Sequence, residues 1–194
     1  MKKRRALFLD RDGVINREIG YLSRVDQVQF LPGVFDLCRK AKELGYLLVI
    51  ITNQAGIARG HYSENDFLVL MDWMTTRFSE YGATIDRIYY CPYHPEFGVG
   101  IYKRDSLDRK PGPGMLLQAA VELNLDLGQC ILVGDRSSDI RAGASAGVGL
   151  LFLLRGNEAP QQICGVNYVE TEFLTDIESA LVAPRTFTQS ELAD

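Results

Sequence analysis

Residues 6–16 read ALFLDRDGVIN, a short apolar run ending in two carboxylates, Asp10 and Asp12, with a glycine directly behind them. A half-exposed strand would alternate apolar and polar residues. A continuous apolar run of this length instead fits a strand buried on both faces of a parallel sheet. Asp10 and Asp12 then stand just past its carboxyl end, the edge where open α/β sheets bind ligands. The acidic ending recurs once, and a third strand pattern ends in polar residues. Residues 129–139 read QCILVGDRSSD, a strand pattern followed by Gly134, Asp135 and, four residues on, Asp139. Residues 46–53 read YLLVIITN and end in Thr52 and Asn53. Arg109-Lys110-Pro111 precedes an amphipathic stretch. A lone D-x-D is commonly a loop of solvated acids capping a helix. Parallel strands ending side by side would instead gather an Asp pair, a hydroxyl, a cation and a further Asp at one edge. That set suits an anion and a hard divalent metal.

Between these strands the pattern alternates. Residues 34–44 carry Val34, Leu37, Cys38, Ala41 and Leu44 at helical spacing, opened by Pro32-Gly33 and closed by Gly45. Ser63, with Asp66 three residues on, starts a second helix whose apolar side holds Phe67, Leu70, Met71, Met74 and Phe78. Next come a strand over 85–90, a helix over 113–123, a strand over 130–133 and a small-residue helix over 138–146. A strand over 150–154, a short one near Tyr168 and Val169, and a helix within 175–182 complete the pattern. Right-handed crossovers make this a doubly wound, mostly parallel, Rossmann-like α/β sheet. The reading is one domain over 1–183, with a long loop at 92–112 and a loose tail at 184–194. No insertion is long enough for a cap domain, so the site is covered only by loops.

The formal charge of −4 gives no general basic field, and nucleic acid is not the expected partner. An anionic substrate must be drawn by a local cluster, for which Arg59, Arg109, Lys110 and Arg136 are candidates. The basic opening, Lys2 to Arg5, has no apolar h-region behind it, and no run reaches transmembrane length. A cytoplasmic monomer is expected, with no membrane partner. The four cysteines are scattered without a Cys-x-x-Cys pair, the pattern of free thiols.

The ordered motifs resemble the haloacid-dehalogenase-like phosphohydrolases: Asp10 and Asp12, Thr52 after a strand, Lys110, and Gly134-Asp135. FLDRDGVIN, GYL (20–22), LPGV (31–34), TNQAGIARG (52–60), YYCPYHP (89–95) and DRKPGPGM (108–115) narrow the likeness. They are similar to one branch, the bacterial D-glycero-D-manno-heptose 1,7-bisphosphate phosphatases and their histidinol-phosphate phosphatase relatives. The resemblance covers roughly the first four-fifths of the chain. It implies Mg²⁺-dependent hydrolysis of a small phosphorylated sugar, the C7 phosphate of heptose 1,7-bisphosphate, through an aspartyl-phosphate. The alternative is histidinol phosphate or another small sugar phosphate. Asp10 is then the nucleophile, Asp12 the acid and base, and Thr52 and Lys110 hold the phosphoryl oxygens. Asp10, the Asp12 carbonyl and Asp135 hold the metal, while Asp139 caps the following helix. Glu18, Ile19, Gly20, Tyr21, Asn53, Gln54, Arg109 and Arg136 match the positions that contact the sugar or its second phosphate. A structural zinc is common in the long loop of that branch. Here Cys91 is present, but Tyr93 stands at the expected histidine, His94 is one residue late, and Ser106 and Asp108 replace two thiolates. Zinc is expected to be absent. Tyr93, Phe97, Ile101 and Tyr102 packing beneath the loop would hold it instead.

Overall fold

The computed structural model describes residues 2–155 and 163–182, and the expected tail at 184–194 lies outside them. Six strands, β1 (Ala6–Leu9), β2 (Leu47–Asn53), β3 (Arg87–Cys91), β4 (Ile131–Gly134), β5 (Leu150–Leu154) and β6 (Val169–Thr171), form one sheet in the order β3-β2-β1-β4-β5-β6. Every pairing is parallel. The helices are α1 (Val34–Glu43), α2 (Ala55–Ala58), α3 (Glu64–Glu80), α4 (Gly114–Glu122), α5 (Ser137–Ala146) and α6 (Glu178–Val182). The chain winds outward from β1 to β3, then returns to the middle and winds outward again from β4. The direction therefore reverses between β1 and β4, and the crevice there is where such folds bind ligands.

Burial on both faces explains the unbroken apolar strands. One face packs Leu7, Leu9, Leu48, Ile50 and Val133 against Leu37, Phe67, Met74 and Phe78 of α1 and α3. The other packs Phe8, Val49, Ile51 and Leu132 against Leu116, Ala119, Ile140 and Ala142 of α4 and α5. Ser63 caps α3, and Asp66 closes a reciprocal capping box with it. The expected strand over 85–90 starts later, at Arg87, because the Asp86 carboxylate accepts the Leu48 N–H at 2.8 Å and pairs with Lys42. The short helix α2 was not legible in the sequence. Its four residues are too few to show a period.

The loop after β3 is held only in part as expected: Tyr102 packs against the core. Ile101 is 80% exposed and Phe97 54% exposed, so neither packs beneath it. Phe97 lies under the Arg59 guanidinium, 4.5 Å from it. Backbone hydrogen bonds do the holding: His94 N–H to the Tyr102 carbonyl and Val99 N–H to the Ala58 carbonyl. Glu64 adds a side-chain anchor, accepting from the Tyr90 hydroxyl at 2.6 Å and the Tyr102 hydroxyl at 3.0 Å. No helix among the described residues is long and apolar enough to cross a membrane.

Candidate active site

Asp10 is the first residue past β1, and its N–H still donates to the Val133 carbonyl of β4 at 3.0 Å. Its side chain therefore stays buried. Oδ1 accepts the Arg11 N–H at 2.7 Å and lies 2.9 Å from Lys110 Nζ. Lys110 Nζ also meets Asp139 Oδ1 at 2.6 Å and donates to the Ile51 carbonyl at 3.0 Å. The ammonium thus sits between two carboxylates and one carbonyl inside the protein. Lys110 reaches this position because Asn53 grips its backbone twice, accepting its N–H and donating to its carbonyl, both at 3.0 Å.

Asp135 follows β4. Its Oδ1 is buried with no hydrogen-bond partner. Gly13 permits its approach, since a Cβ on Gly13 would sit 2.0 Å from Asp135 Oδ2, and its φ of +87° suits glycine. Carboxylate oxygens of Asp10, Asp135 and Asp139 lie within 4.8 Å of one another. Burial raises Asp10 to about 7, with Lys110 opposing and Asp139 adding to the rise. Burial likewise raises Asp135 to about 8, with the charges of Asp10 and Asp139 adding to it. Burial also disfavours the Lys110 charge, but Asp10 and Asp139 outweigh it and hold that pKa above its ordinary value. A buried all-oxygen set with an unpaired carboxylate oxygen suits a hard divalent cation.

Asp139 was expected only to cap α5. It does cap, accepting the Arg136 N–H at 3.0 Å through Oδ2. Its other oxygen turns to Lys110, so it belongs to the site as well. Its place in the first turn of α5 marks it in the sequence only as a cap. Asp12 stands apart from the acidic cluster, held by Arg11, Asn16 and Gln54.

The expected sugar contacts divide into two groups. Asn53 and Gln54 make hydrogen bonds inside the protein. Asn53 holds Lys110. Gln54, fully buried, donates to Thr52 Oγ1 at 2.8 Å and accepts from the Tyr62 hydroxyl at 2.5 Å. The rest lie on the rim. Glu18 Oε2 pairs with Arg136 Nη2 at 2.7 Å, while its Oε1 accepts the Gly20 N–H at 2.7 Å. Ile19 is exposed, and Tyr21 stacks on His61 with ring centroids 3.9 Å apart. His61 carried no sequence signal. Arg109 Nη1 donates to the Tyr93 carbonyl at 3.3 Å, and burial and the nearby Arg59 charge both lower its pKa. In the long loop, the buried Cys91 thiol donates to the Tyr93 carbonyl. His94 Nδ1 accepts the Glu96 and Phe97 N–H groups, each at 3.2 Å. A cavity of about 410 Å³ between β3 and α4, lined by Arg87, Tyr89, Asp108 and Glu122, holds none of the acidic cluster.

This geometry has relatives. A family model described as HAD-hydrolase-like matches residues 107–180. A D-glycero-alpha-D-manno-heptose-1,7-bisphosphate 7-phosphatase from Burkholderia mallei is 55% identical over 81% of this chain and 83% of its own. The chain belongs to the haloacid-dehalogenase-like phosphatase family. Within the family, a D-glycero-beta-D-manno-heptose-1,7-bisphosphate 7-phosphatase from Haemophilus influenzae is 49% identical over 78% of this chain and 82% of its own. An HAD-like phosphatase from Mesorhizobium loti superposes with a TM-score of 0.82 at 33% identity, covering 96% of this chain and 90% of that one. The D,D-heptose 1,7-bisphosphate phosphatase of B. bronchiseptica, complexed with magnesium and phosphate, gives 0.78 at 27%, covering 92% and 98%.

The site's packing makes one sharp prediction. A Cβ on Gly134 would fall 2.2 Å from Asp139 Cβ, the base of that side chain rather than its flexible end. Gly134→Ala should destabilise by about 1–3 kcal/mol, the usual cost of overpacking. It should also push Asp139 off Lys110. Urea denaturation read beside phosphatase activity checks both.

Proposed function

We propose that this chain is a Mg²⁺-dependent phosphatase removing the C7 phosphate of D-glycero-D-manno-heptose 1,7-bisphosphate, in nucleotide-activated heptose synthesis. We place it in the cytoplasm as a monomer. The reading is carried by the buried Asp10–Lys110 pair beside Asp135, in a chain 55% identical to an enzyme named for that reaction.

Phosphate esters resist hydrolysis mainly because anionic oxygens repel an anionic nucleophile, so a site must neutralise charge and align the attack. An Asp10 oxygen attacks phosphorus, the bond from phosphorus to the C7 oxygen breaks, and Asp12 gives that oxygen its proton. Asp12 then takes a proton from water, whose oxygen attacks the same phosphorus. The bond to Asp10 breaks and inorganic phosphate leaves. Asp10, Asp135 and the Asp12 backbone carbonyl would hold Mg²⁺, and the unpaired Asp135 Oδ1 fits that duty. When bound, the cation offsets the repulsion between nucleophile and phosphoryl oxygens. Thr52 offers its hydroxyl to the phosphoryl oxygens. Lys110 contributes positive charge and holds Asp10 in line. Asn53 and Gln54 contact the sugar or its second phosphate while supporting Lys110 and Thr52. Glu18, Ile19, Gly20 and Tyr21 face the sugar, and Arg109 and Arg136 take the second phosphate, since guanidinium binds phosphate two-point. The long loop works without zinc, because Ser106 and Asp108 hydrogen-bond each other where thiolates would be needed.

Asp10→Asn should abolish phosphate release with an unchanged far-UV spectrum, because the amide is the same size but cannot attack phosphorus. Turnover near the wild-type rate would overturn the covalent step. Melting temperature should rise with Mg²⁺, by the equivalent of about 2.7 kcal/mol at a hundred times the dissociation constant. Asp135→Asn should lose that rise, and calorimetry reads it without substrate. The substrate test is a panel of both heptose bisphosphate anomers, histidinol phosphate and a simple sugar monophosphate. Arg109→Ala should cut the preference for bisphosphate over monophosphate about ten- to a hundred-fold, the worth of one charge-assisted contact. An unchanged ratio, there and in Arg136→Ala, would remove both arginines from the second phosphate.

A further inference from the structure

Arg11, the residue between the two carboxylates, has no role in the chemistry above, yet it is 1% exposed. Arginine is almost never fully buried unless it is paired. Its guanidinium turns back onto Asp12. Nε lies 3.1 Å from both carboxylate oxygens and Nη2 lies 2.7 Å from Oδ2, with Nη2 also 3.4 Å from the Leu22 carbonyl. Nη1 is buried with no partner. A buried, incompletely satisfied cation is costly, and the fork onto Asp12 is the contact that offsets it. The local turn makes this possible, because the Arg11 carbonyl accepts the N–H groups of Ile15 at 2.8 Å and Asn16 at 3.1 Å. That turn carries Asn16 Nδ2 to within 3.0 Å of Asp12 Oδ1.

A second arm reaches Asp12 from β2. Gln54 Nε2 lies 3.4 Å from Asp12 Oδ2 while donating to Thr52. The amide could rotate, but the Tyr62 hydroxyl fixes it by donating to Oε1 at 2.5 Å. Tyr62 is itself seated on Gly56, where a Cβ would fall 2.2 Å from its ring.

We propose that Arg11 and Tyr62 are positioning residues for Asp12. Arg11 grips the carboxylate directly and Tyr62 orients the glutamine beside it, so the proton carrier has one orientation before substrate arrives. This rests on the reading of Asp12 as acid and base. Proton transfer depends on geometry before anything else, and a side chain free to rotate loses much of its effect.

The test compares kcat/KM for the sugar phosphate turned over best with that for p-nitrophenyl phosphate. A sugar alkoxide needs a proton to leave; nitrophenolate does not. In Arg11→Met the sugar phosphate should lose about ten- to a hundred-fold, and p-nitrophenyl phosphate a much smaller factor. Tyr62→Phe should show the same bias, severalfold, and Arg11→Lys should recover part of the loss. Tyr62→Phe removes one hydroxyl, so it keeps the test valid if Arg11→Met does not fold; melting curves report which variants are native. Equal losses on both substrates in folded variants would make the two residues merely structural and overturn the proposal. Asp12→Asn separates the two levels. If it biases the substrates while the Arg11 and Tyr62 variants do not, positioning alone fails. If it shows no bias, the acid role fails and takes this inference with it.

Discussion

One buried ammonium organises the site. Lys110 Nζ sits between Asp10 and Asp139, at 2.9 and 2.6 Å, and under the Ile51 carbonyl. Without it, carboxylates this close and this buried would repel one another and favour their neutral forms. In the proposed mechanism a neutral Asp10 could not attack phosphorus. Removing one member of such a buried pair costs more than the pair contributes, because the partner is left charged and unsolvated. The two hydrogen bonds from Asn53 to the Lys110 backbone therefore bear on chemistry as much as on folding. They bring a residue that follows a long loop to the end of a strand far from it in sequence.

The sheet explains why these groups meet where they do. β1 and β4 are neighbours in register, with Leu9 opposite Val133, so the residues just past them emerge side by side. Helices cover both faces, and polar side chains can first appear only at the strand ends. Asp10 comes at the boundary and keeps the burial of β1, which is why its pKa is raised. α5 begins two residues after Asp135, so a single carboxylate, Asp139, reaches both the helix N-terminus and Lys110.

What could be read from the sequence followed the same physics. Buried parallel strands announce themselves as apolar runs, and their polar endings marked Asp10, Thr52 and Asp135. The Ser63 and Asp66 capping box was legible because its chemistry is local. Several features were not. Asp139 looked like a cap, and spacing alone does not show that a carboxylate has a second oxygen to spend. Asn53 and Gln54 are marked by the family resemblance as substrate contacts, but only packing shows that their amides also hold Lys110 and Thr52. Arg11 was hidden by its neighbours: a cation between two acids reads as solvated charge until the fold buries it. Ile101 failed the opposite way, an apolar residue that the loop leaves in solvent.

The contacts at the site fall into two energetic classes, and the division bears on substrate choice. The Asp10–Lys110–Asp139 set and the cage around Asp12 are buried, so rearranging them would strand charge away from water. The rim is different. The Glu18–Arg136 pair is largely exposed, and surface ion pairs contribute about 0–1 kcal/mol. The Tyr21–His61 stack contributes about 0.5–1.5 kcal/mol beyond its buried area. Both can be exchanged for contacts with a ligand at little cost, since an anion that draws Arg136 from Glu18 replaces one charge contact with another. The proposed chemistry thus rests on buried contacts, and the proposed substrate contacts on ones weak enough to trade. Loops of that kind carry no strand or helix period, and so the substrate is the part of the function that periodicity does not encode.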